Sequence, residues 1–498
     1  MKKEFFSFVA LLLIVISKNA SIEGNLSAVP NLGFCESKQK NQQYEELYKH
    51  EQIWEIHSRE GRKLDQKKIT VHLIPHSHMD IAWLSGMEGY YQSRAKHILN
   101  NVIEELWKDT TKTFSLSVMG FFRRWWNEAS ASTKTIVKHL VENKQLDFVG
   151  GGFCENDDAI SYYEDVIENM ENGHAFLKKE LNVVPTVGWN IDNFGHTIGM
   201  NYLFTQMGFH SNFFTRIHYQ EHSQRKEKKE LEFFWEPPTK TGEPNKLYQF
   251  LQYDFYQWYH CPVGFCFESG RCFPQGESIG SHNVERRVGQ FVDYFRQAAS
   301  KYRFDNVFHF FGDDYTYEAA ATFFGNLDQI IKYLKDHPEL NMQAIYSTPA
   351  KYLEYIRKQV VEQNITLPSS TSDFLPIADI PNSYWTGFFT SRVHLKKLAK
   401  DANQLSQVAK TFHSLLMINQ LLASNDTEYA DAIQSLTDAI SYINHHDAIT
   451  GTSPSGVIHD YMSVTSNAVR KMLNVSYSFL FLTVARTSTK KSPKSLLK

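Results

Sequence analysis

The chain has little cysteine. Cys35, Cys154, Cys261, Cys266 and Cys272 are spread over 498 residues with no Cys-x-x-Cys spacing, which argues against a thiolate zinc site and leaves histidine and carboxylate as the candidate metal ligands. An odd count leaves at least one thiol without an intramolecular partner. Cys261 and Cys266 can close a local disulfide across a short loop, while Cys35, Cys154 and Cys272 stay unassigned. Charge of one sign is also lacking. With a formal net charge of -3, neither nucleic acid nor an acidic membrane surface is implied as partner, and a neutral substrate fits better. No apolar run has the length of a membrane span, since Phe5 to Ser17 and Phe479 to Val484 are both too short. No internal repeat of fixed period is visible.

What is present describes a globular protein. Apolar residues make up 42% and aromatics 14% of the chain, enough to bury a large core, and the length calls for two or more folded units. Lys2 and Lys3 precede the first apolar run, the layout of a secretory signal peptide, placed at residues 1–24. Five Asn-x-Ser/Thr sites, at Asn19, Asn25, Asn364, Asn425 and Asn474, agree with passage through a secretory lumen. Residues 25–67 are polar, without periodicity, and read as a lead-in.

From Ile69 the pattern alternates. Strand-like segments at Ile69–Pro75, Thr113–Val118, Leu146–Val149, Val183–Ile191, His210–Thr215 and Asn306–Phe311 are interleaved with helical ones, at Tyr91–Lys108, Thr133–Asn143, Tyr162–Leu181 and Asn201–Met207. Such alternation predicts parallel β/α units over 68–382. Beyond Ser383 the character changes: Arg392–Leu422, Thr427–Ile443 and Gly456–Val484 are long helical patterns, read as an appended helical bundle over 383–486. A basic tail, 487–498, follows.

Four polar clusters punctuate this framework: His76-Ser-His-Met-Asp80, Asp192-Asn-Phe-Gly-His196, Gly312-Asp-Asp314 and His445-His-Asp447. The first three follow strand-like segments, where sites assemble in parallel β/α folds. A single Asp after a strand is adequately explained as a helix N-cap; several such clusters, two of them with His, are not. His78 and Asp80 stand two apart and share one side of an extended segment. His76 has the same parity and competes for the role.

Taken together these clusters, in this order and spacing, resemble the family 38 glycoside hydrolases, the class II α-mannosidases. The resemblance runs from about Val71 to past Asp460, includes Tyr346-Ser-Thr-Pro-Ala350 and Trp385-Thr-Gly387, and is nearest to the lysosomal branch. It implies a seven-stranded, barrel-like parallel β/α catalytic domain followed by a three-helix bundle. It also implies a Zn2+ ion held by His78, Asp80, Asp192 and His446, with Asp192 as nucleophile and Asp314 as general acid/base. Trp83, Arg216, Tyr253, Trp385 and Asp447 match positions that line the sugar pocket. A retaining glycosidase needs two carboxyl groups roughly 5–5.5 Å apart, one to attack and one to move the proton. Asp313, beside Asp314, is expected to serve as a hydrogen-bonding or capping residue.

The chain departs from the family pattern in places. Asn193 stands where relatives have Pro, Val118 where they have Glu, and Lys351 where lysosomal relatives often have Cys, which leaves Cys35 without its expected partner. Relatives continue into β-rich C-terminal domains that this chain lacks. The expected activity is hydrolysis of terminal α-mannosides of N-glycans or free oligosaccharides, in the lysosome, a vacuole or outside the cell. Two alternatives are an impaired form that binds mannosides without turnover and, further off, a zinc-dependent carbohydrate deacetylase, to which the last cluster is hard to fit.

Overall fold

The structure, a computed structural model, describes residues 68–159, 162–237, 246–254, 262, 264–268, 276–420 and 427–489. The expected signal segment, the lead-in, the Cys261–Cys266 pairing and residues 490–498 of the basic tail fall outside them. Among the described residues no helix is long and apolar enough to cross a membrane.

Strand β1 (Ile69–Pro75) is the centre of the first ladder, with β8 (Asn306–Phe311) and β9 (Met342–Tyr346) parallel on either side. Its near-continuous apolar composition suits a strand buried on both faces. It also buries His72, which is bonded to Ser347 Oγ (2.8 Å) and Asn306 Oδ1 (3.0 Å), and burial pushes its pKa down to about 4. Strands β2 (Phe114–Leu116) and β3 (Leu146–Phe148) form a second parallel ladder. A third runs β4 (Val187–Asn190), β5 (Ser211–Phe214) and β7 (Leu247–Leu251), all parallel. A parallel bridge from His76 to Ser115 joins the first ladder to the second, and Gly150 N–H donates to Val187 O (2.8 Å) to join the second to the third.

The expected α/β order holds, but β7 and β9 are strands not expected from the sequence, and the expected segments differ in detail. β6 (Glu232–Trp235) runs antiparallel to β7, so the sheet is not parallel throughout. The segment expected as strand through Val118 ends at Leu116, because helix Met119–Glu128 begins at once and buries Phe121, Phe122, Trp125 and Trp126. The strand expected from Val183 starts only at Val187; Pro185 cannot donate to a ladder.

The C-terminal region has three long helices, Val393–Ile418, Glu428–Ile443 and Ser455–Thr489, in pairwise contact. The last runs past the expected end at Val484, there being no Gly or Pro to stop it before Pro493. These helices meet the α/β part through helix Tyr163–Leu181, whose buried face carries Asp165, Glu168, Asn169 and Asn172. Much of that polar face is bonded from the helical side. Glu168 Oε1 accepts from Ser406 Oγ (2.8 Å), Thr437 Oγ1 (2.8 Å) and Lys410 Nζ (3.0 Å), and Asp165 accepts from Asn403 and from Asn444 Nδ2 (3.1 Å). Buried polar groups are tolerated when bonded in this way.

Two carboxyls buried in this framework are pushed towards the neutral form. Burial raises Asp165 to about 7 and Glu232, bonded to Tyr352 Oη (2.7 Å), to about 7. Each binds its proton more tightly folded than unfolded. Their contribution to stability is therefore complete below the ordinary carboxyl range, at pH about 4, and is lost as pH rises through about 7. We expect a higher melting temperature at pH 5 than at pH 8, with the difference reduced in Asp165→Asn; a flat or rising profile would contradict this account.

Candidate metal and catalytic centre

The centre lies beyond the C-terminal ends of the strands. β1 runs directly into His76–Asp80, β4 into Asp192 and β8 into Gly312–Asp314. Gly312 is required there, because a Cβ would sit 1.7 Å from His76 O. The fourth cluster comes from the turn between Glu428–Ile443 and the last helix, where His446 N–H donates to Glu155 O (3.2 Å) and Asp157 N–H to Asn444 O (3.1 Å).

His78, Asp80, Asp192 and His446, all buried, each offer a ligand atom within 4.8 Å of the others. Asp80 Oδ1 is 2.9 Å from His78 Nε2 and 3.0 Å from His446 Nε2; Asp192 Oδ2 is 3.3 Å and 3.5 Å from the same two nitrogens. His76 is placed differently. Its ring packs edge-on against Trp189 (5.4 Å) and Phe310 (5.5 Å), so the two histidines of the first cluster have separate surroundings. His445 Nε2 lies 3.4 Å from Asp80 Oδ1 and joins a second, overlapping group with His446 and Asp447.

Electrostatics explain how two carboxylates stay together in the interior. Burial works against charge on Asp192, but the Arg216 guanidinium and hydrogen bonds from His446 and His78 hold its carboxyl well below the usual range. Burial also opposes charge on Asp80, and the neighbouring His78 with hydrogen bonds from His445 and His446 holds it well below as well. The converse holds for the imidazoles: desolvation lowers His78 and His446, yet the carboxylates around them raise both well above the ordinary value. A divalent cation would replace those two protons charge for charge, and the donor set of two imidazole nitrogens and two carboxylates suits one.

Asp314 behaves oppositely. Burial pushes its carboxyl well above the ordinary range; His78 pulls it back, and Asp80, Asp313 and Asp192 push it further. Its backbone pairs with that of His78, and Tyr315 N–H donates to His78 O (2.8 Å). Asp313 Oδ1 accepts from Asp314 N–H (2.8 Å), a bond within its own turn.

The remaining expected residues are distributed unevenly. Arg216 directs both Nε (2.6 Å) and Nη2 at Asp192 Oδ1, and its guanidinium lies 5.5 Å from the Phe194 ring and 5.0 Å from the half-buried Trp385 ring. Asp447 Oδ2 approaches His445 Nε2 (3.6 Å) and His446 Nε2 (3.9 Å), while its Oδ1 accepts from Thr452. Trp83 is half-buried three residues beyond Asp80. Tyr253 packs edge-on against Tyr294 (5.8 Å) with Lys226 Nζ over its ring at 4.6 Å. Sequence reasoning passed over Glu155, Phe194 and Tyr315, which donates to Asp80 O. Glu155 had a signal, the polar run Glu155-Asn-Asp-Asp158 just past a strand.

An α/β protein with a buried His/Asp centre of metal-binding type, assembled at strand ends and completed by a helical unit, is the class that fold and site define. Residues 68–380 match the glycosyl hydrolases family 38 N-terminal domain and residues 383–480 the alpha mannosidase middle domain. The chain belongs to glycosyl hydrolase family 38. It is 34% identical over 438 residues to an alpha-mannosidase of Arabidopsis thaliana, an alignment covering 85% of this chain and 41% of that relative. It is also 33% identical over 410 residues to the lysosomal alpha-mannosidase of Dictyostelium discoideum (80% and 40%) and 32% over 410 to that of Homo sapiens (79% and 40%). The chain thus spans about two fifths of the length of these curated relatives. The crystal structure of an alpha-mannosidase from Enterococcus faecalis V583 shares the fold, with a TM-score of 0.65 and 17% identity over 84% of this chain and 43% of that one.

Removing the Arg216 side chain leaves the buried Asp192 carboxylate, among the described residues, with the His78 and His446 imidazoles as its ion-pair partners. Breaking a buried pair costs about 3–5 kcal/mol, and with two imidazoles remaining we expect Arg216→Ala to fall at the low end. Arg216→Lys should lose less. Denaturant titration of the metal-depleted protein checks this, and unchanged stability of Arg216→Ala would show that the ion pair does not hold Asp192.

Proposed function

We propose that this chain carries the catalytic centre of a zinc-dependent retaining α-mannosidase acting on terminal α-mannosides of N-glycans or free oligosaccharides. The observation that carries the proposal is the convergence of His78, Asp80, Asp192 and His446 on one buried spot, with Asp192 pinned through a single oxygen. On this reading those four residues hold Zn2+. When bound, the ion supplies positive charge and open coordination for sugar hydroxyls.

The chain's own residues do the rest. Arg216 occupies Asp192 Oδ1 and keeps the carboxylate ionised and oriented, the state a nucleophile needs to attack the anomeric carbon. Asp314, buried and held towards the neutral form, protonates the departing glycosidic oxygen, and its carboxylate then takes the proton from the water that releases the sugar. Trp385 and Trp83 offer apolar faces to the sugar, Arg216, Tyr253 and Asp447 line the same pocket, and Asp447 is placed to accept from a hydroxyl.

The domain division proposed with this function is 68–382 for the catalytic unit, as a seven-stranded barrel-like arrangement, and 383–486 for a three-helix bundle. The joined parallel ladders and the three helices in mutual contact support it. The relatives named lysosomal support an address in the secretory pathway, in a lysosome or vacuole or outside the cell.

Release of 4-nitrophenol from a 4-nitrophenyl α-mannoside tests the proposal. Zinc-loaded protein should turn over and Asp192→Ala should not. Asp314→Asn should lose about 10²–10⁴-fold on natural mannosides, and less on the aryl substrate, whose leaving group needs little protonation. No release by fully loaded protein would reject the enzyme assignment.

A further inference from the structure

Glu155 is a buried carboxylate, 5% exposed, that the mechanism above does not use. It lies seven residues past β3 in a segment clamped by Asn169: Asn169 Nδ2 donates to Cys154 O (3.0 Å), Cys154 N–H donates to Asn169 Oδ1 (3.1 Å) and Phe153 N–H to Asn169 O (3.1 Å). A buried carboxylate must be bonded or paired to persist. Glu155 Oε1 accepts from Ser117 Oγ (2.7 Å) and stands 3.8 Å from His78 Nδ1, within ion-pair range.

The main chain of the same residue serves the other imidazole. Glu155 O accepts from His446 Nδ1 (2.8 Å) and His446 N–H (3.2 Å), and lies 3.2 Å from His445 Nδ1. Both ligand histidines therefore turn Nδ1 towards Glu155 and Nε2 towards Asp80 Oδ1, at 2.9 Å for His78 and 3.0 Å for His446. An imidazole with its proton fixed on Nδ1 presents the Nε2 lone pair to an ion, and an anionic partner at Nδ1 makes that nitrogen a better donor.

We infer that Glu155 is a positioning residue of the metal centre: its carboxylate places negative charge against His78 Nδ1 and raises the basicity of that ring, its carbonyl fixes the tautomer of His446, and Ser117 holds the carboxylate in place. The inference rests on the metal reading of the four-residue cluster. It assigns to a loop outside the four clusters a share of the metal affinity. Glu155→Gln keeps the size of the side chain and an acceptor for Ser117 but removes the charge facing His78.

The full chain is titrated with Zn2+ against a chromophoric chelator, and with Co2+ while the visible absorption of the bound ion is recorded. Glu155→Gln is expected to bind Zn2+ about 10–100-fold more weakly than wild type, with a shifted Co2+ band and unchanged far-ultraviolet circular dichroism. Ser117→Ala should show a smaller loss in the same direction. Equal affinity and a superimposable Co2+ spectrum in Glu155→Gln would overturn the inference. If that variant does not fold, Ser117→Ala decides, and undiminished affinity there overturns it. A wild-type chain that takes up neither ion rejects the metal reading itself, and this inference with it, before any variant is compared.

Discussion

Two carboxylates, Asp80 and Asp192, are buried side by side, and the rest of the centre is arranged around the cost of keeping them charged. Neither sits in water, and both face the same two imidazole nitrogens. Left alone, such a pair would take up a proton, since like charges at close range in the interior cannot both remain ionised. Here they do because cations are supplied from three directions: Arg216 from beyond β5, His78 from the end of β1 and His446 from the helical unit. At Asp314 burial and the surrounding carboxylates push the carboxyl towards the neutral form, against the pull of His78. Opposite protonation of two carboxyls in one site is thus a consequence of where the positive groups are placed.

That placement depends on a junction that is itself polar. His446 reaches the centre only because helix Glu428–Ile443 is seated against helix Tyr163–Leu181. Across this seam Glu168 accepts from Thr437, Asp165 accepts from Asn444 and Asn172 donates to Asp438, while Ser406 of helix Val393–Ile418 also donates to Glu168. A purely apolar contact could slide by a turn at little cost, whereas each of these bonds has one partner and one geometry. Asn444, which ends the helix, donates both to Asp165 and to Ile440 O (2.9 Å), fixing the direction in which the chain enters His445-His446-Asp447.

Much of this was legible in the sequence. β1 and β8 are mainly apolar runs, each interrupted by a histidine and each leading into a polar cluster, and burial on both faces is the ordinary reason for such runs. Strand ends carry polar clusters in parallel β/α folds, so position after a strand already singles out His78, Asp80 and Asp192 in the sequence. The buried helix Tyr163–Leu181 was found by period, but its polar inner face was not, because a helix whose hidden side is Asp, Glu and Asn violates the amphipathic pattern unless its partner is known. β6, antiparallel to β7, was missed because short strands on either side of a loop do not announce their direction. Glu155 was missed for a different reason. Nothing local separates a carboxylate that meets a histidine 77 positions earlier from one that caps a turn, and only the ladder joining β1 to β2 and β3 brings them together.

The two sets of buried carboxyls place opposing demands on the medium. Asp80 and Asp192, held well below the usual range, contribute stability only where they are ionised, and that contribution is lost as pH falls through their folded values. The contribution of Asp165 and Glu232 is complete at pH about 4 and declines as pH rises towards about 7. The two contributions overlap most fully around the ordinary carboxyl range, where Asp80 and Asp192 are ionised and Asp165 and Glu232 keep their protons. The seam that seats His446 and the carboxylates that face it are therefore best satisfied together near that range, one by keeping its proton and the other by having lost it. Such overlap follows from composition at two places in the fold: acids facing amides and hydroxyls at the seam, and acids facing Arg and His at the centre.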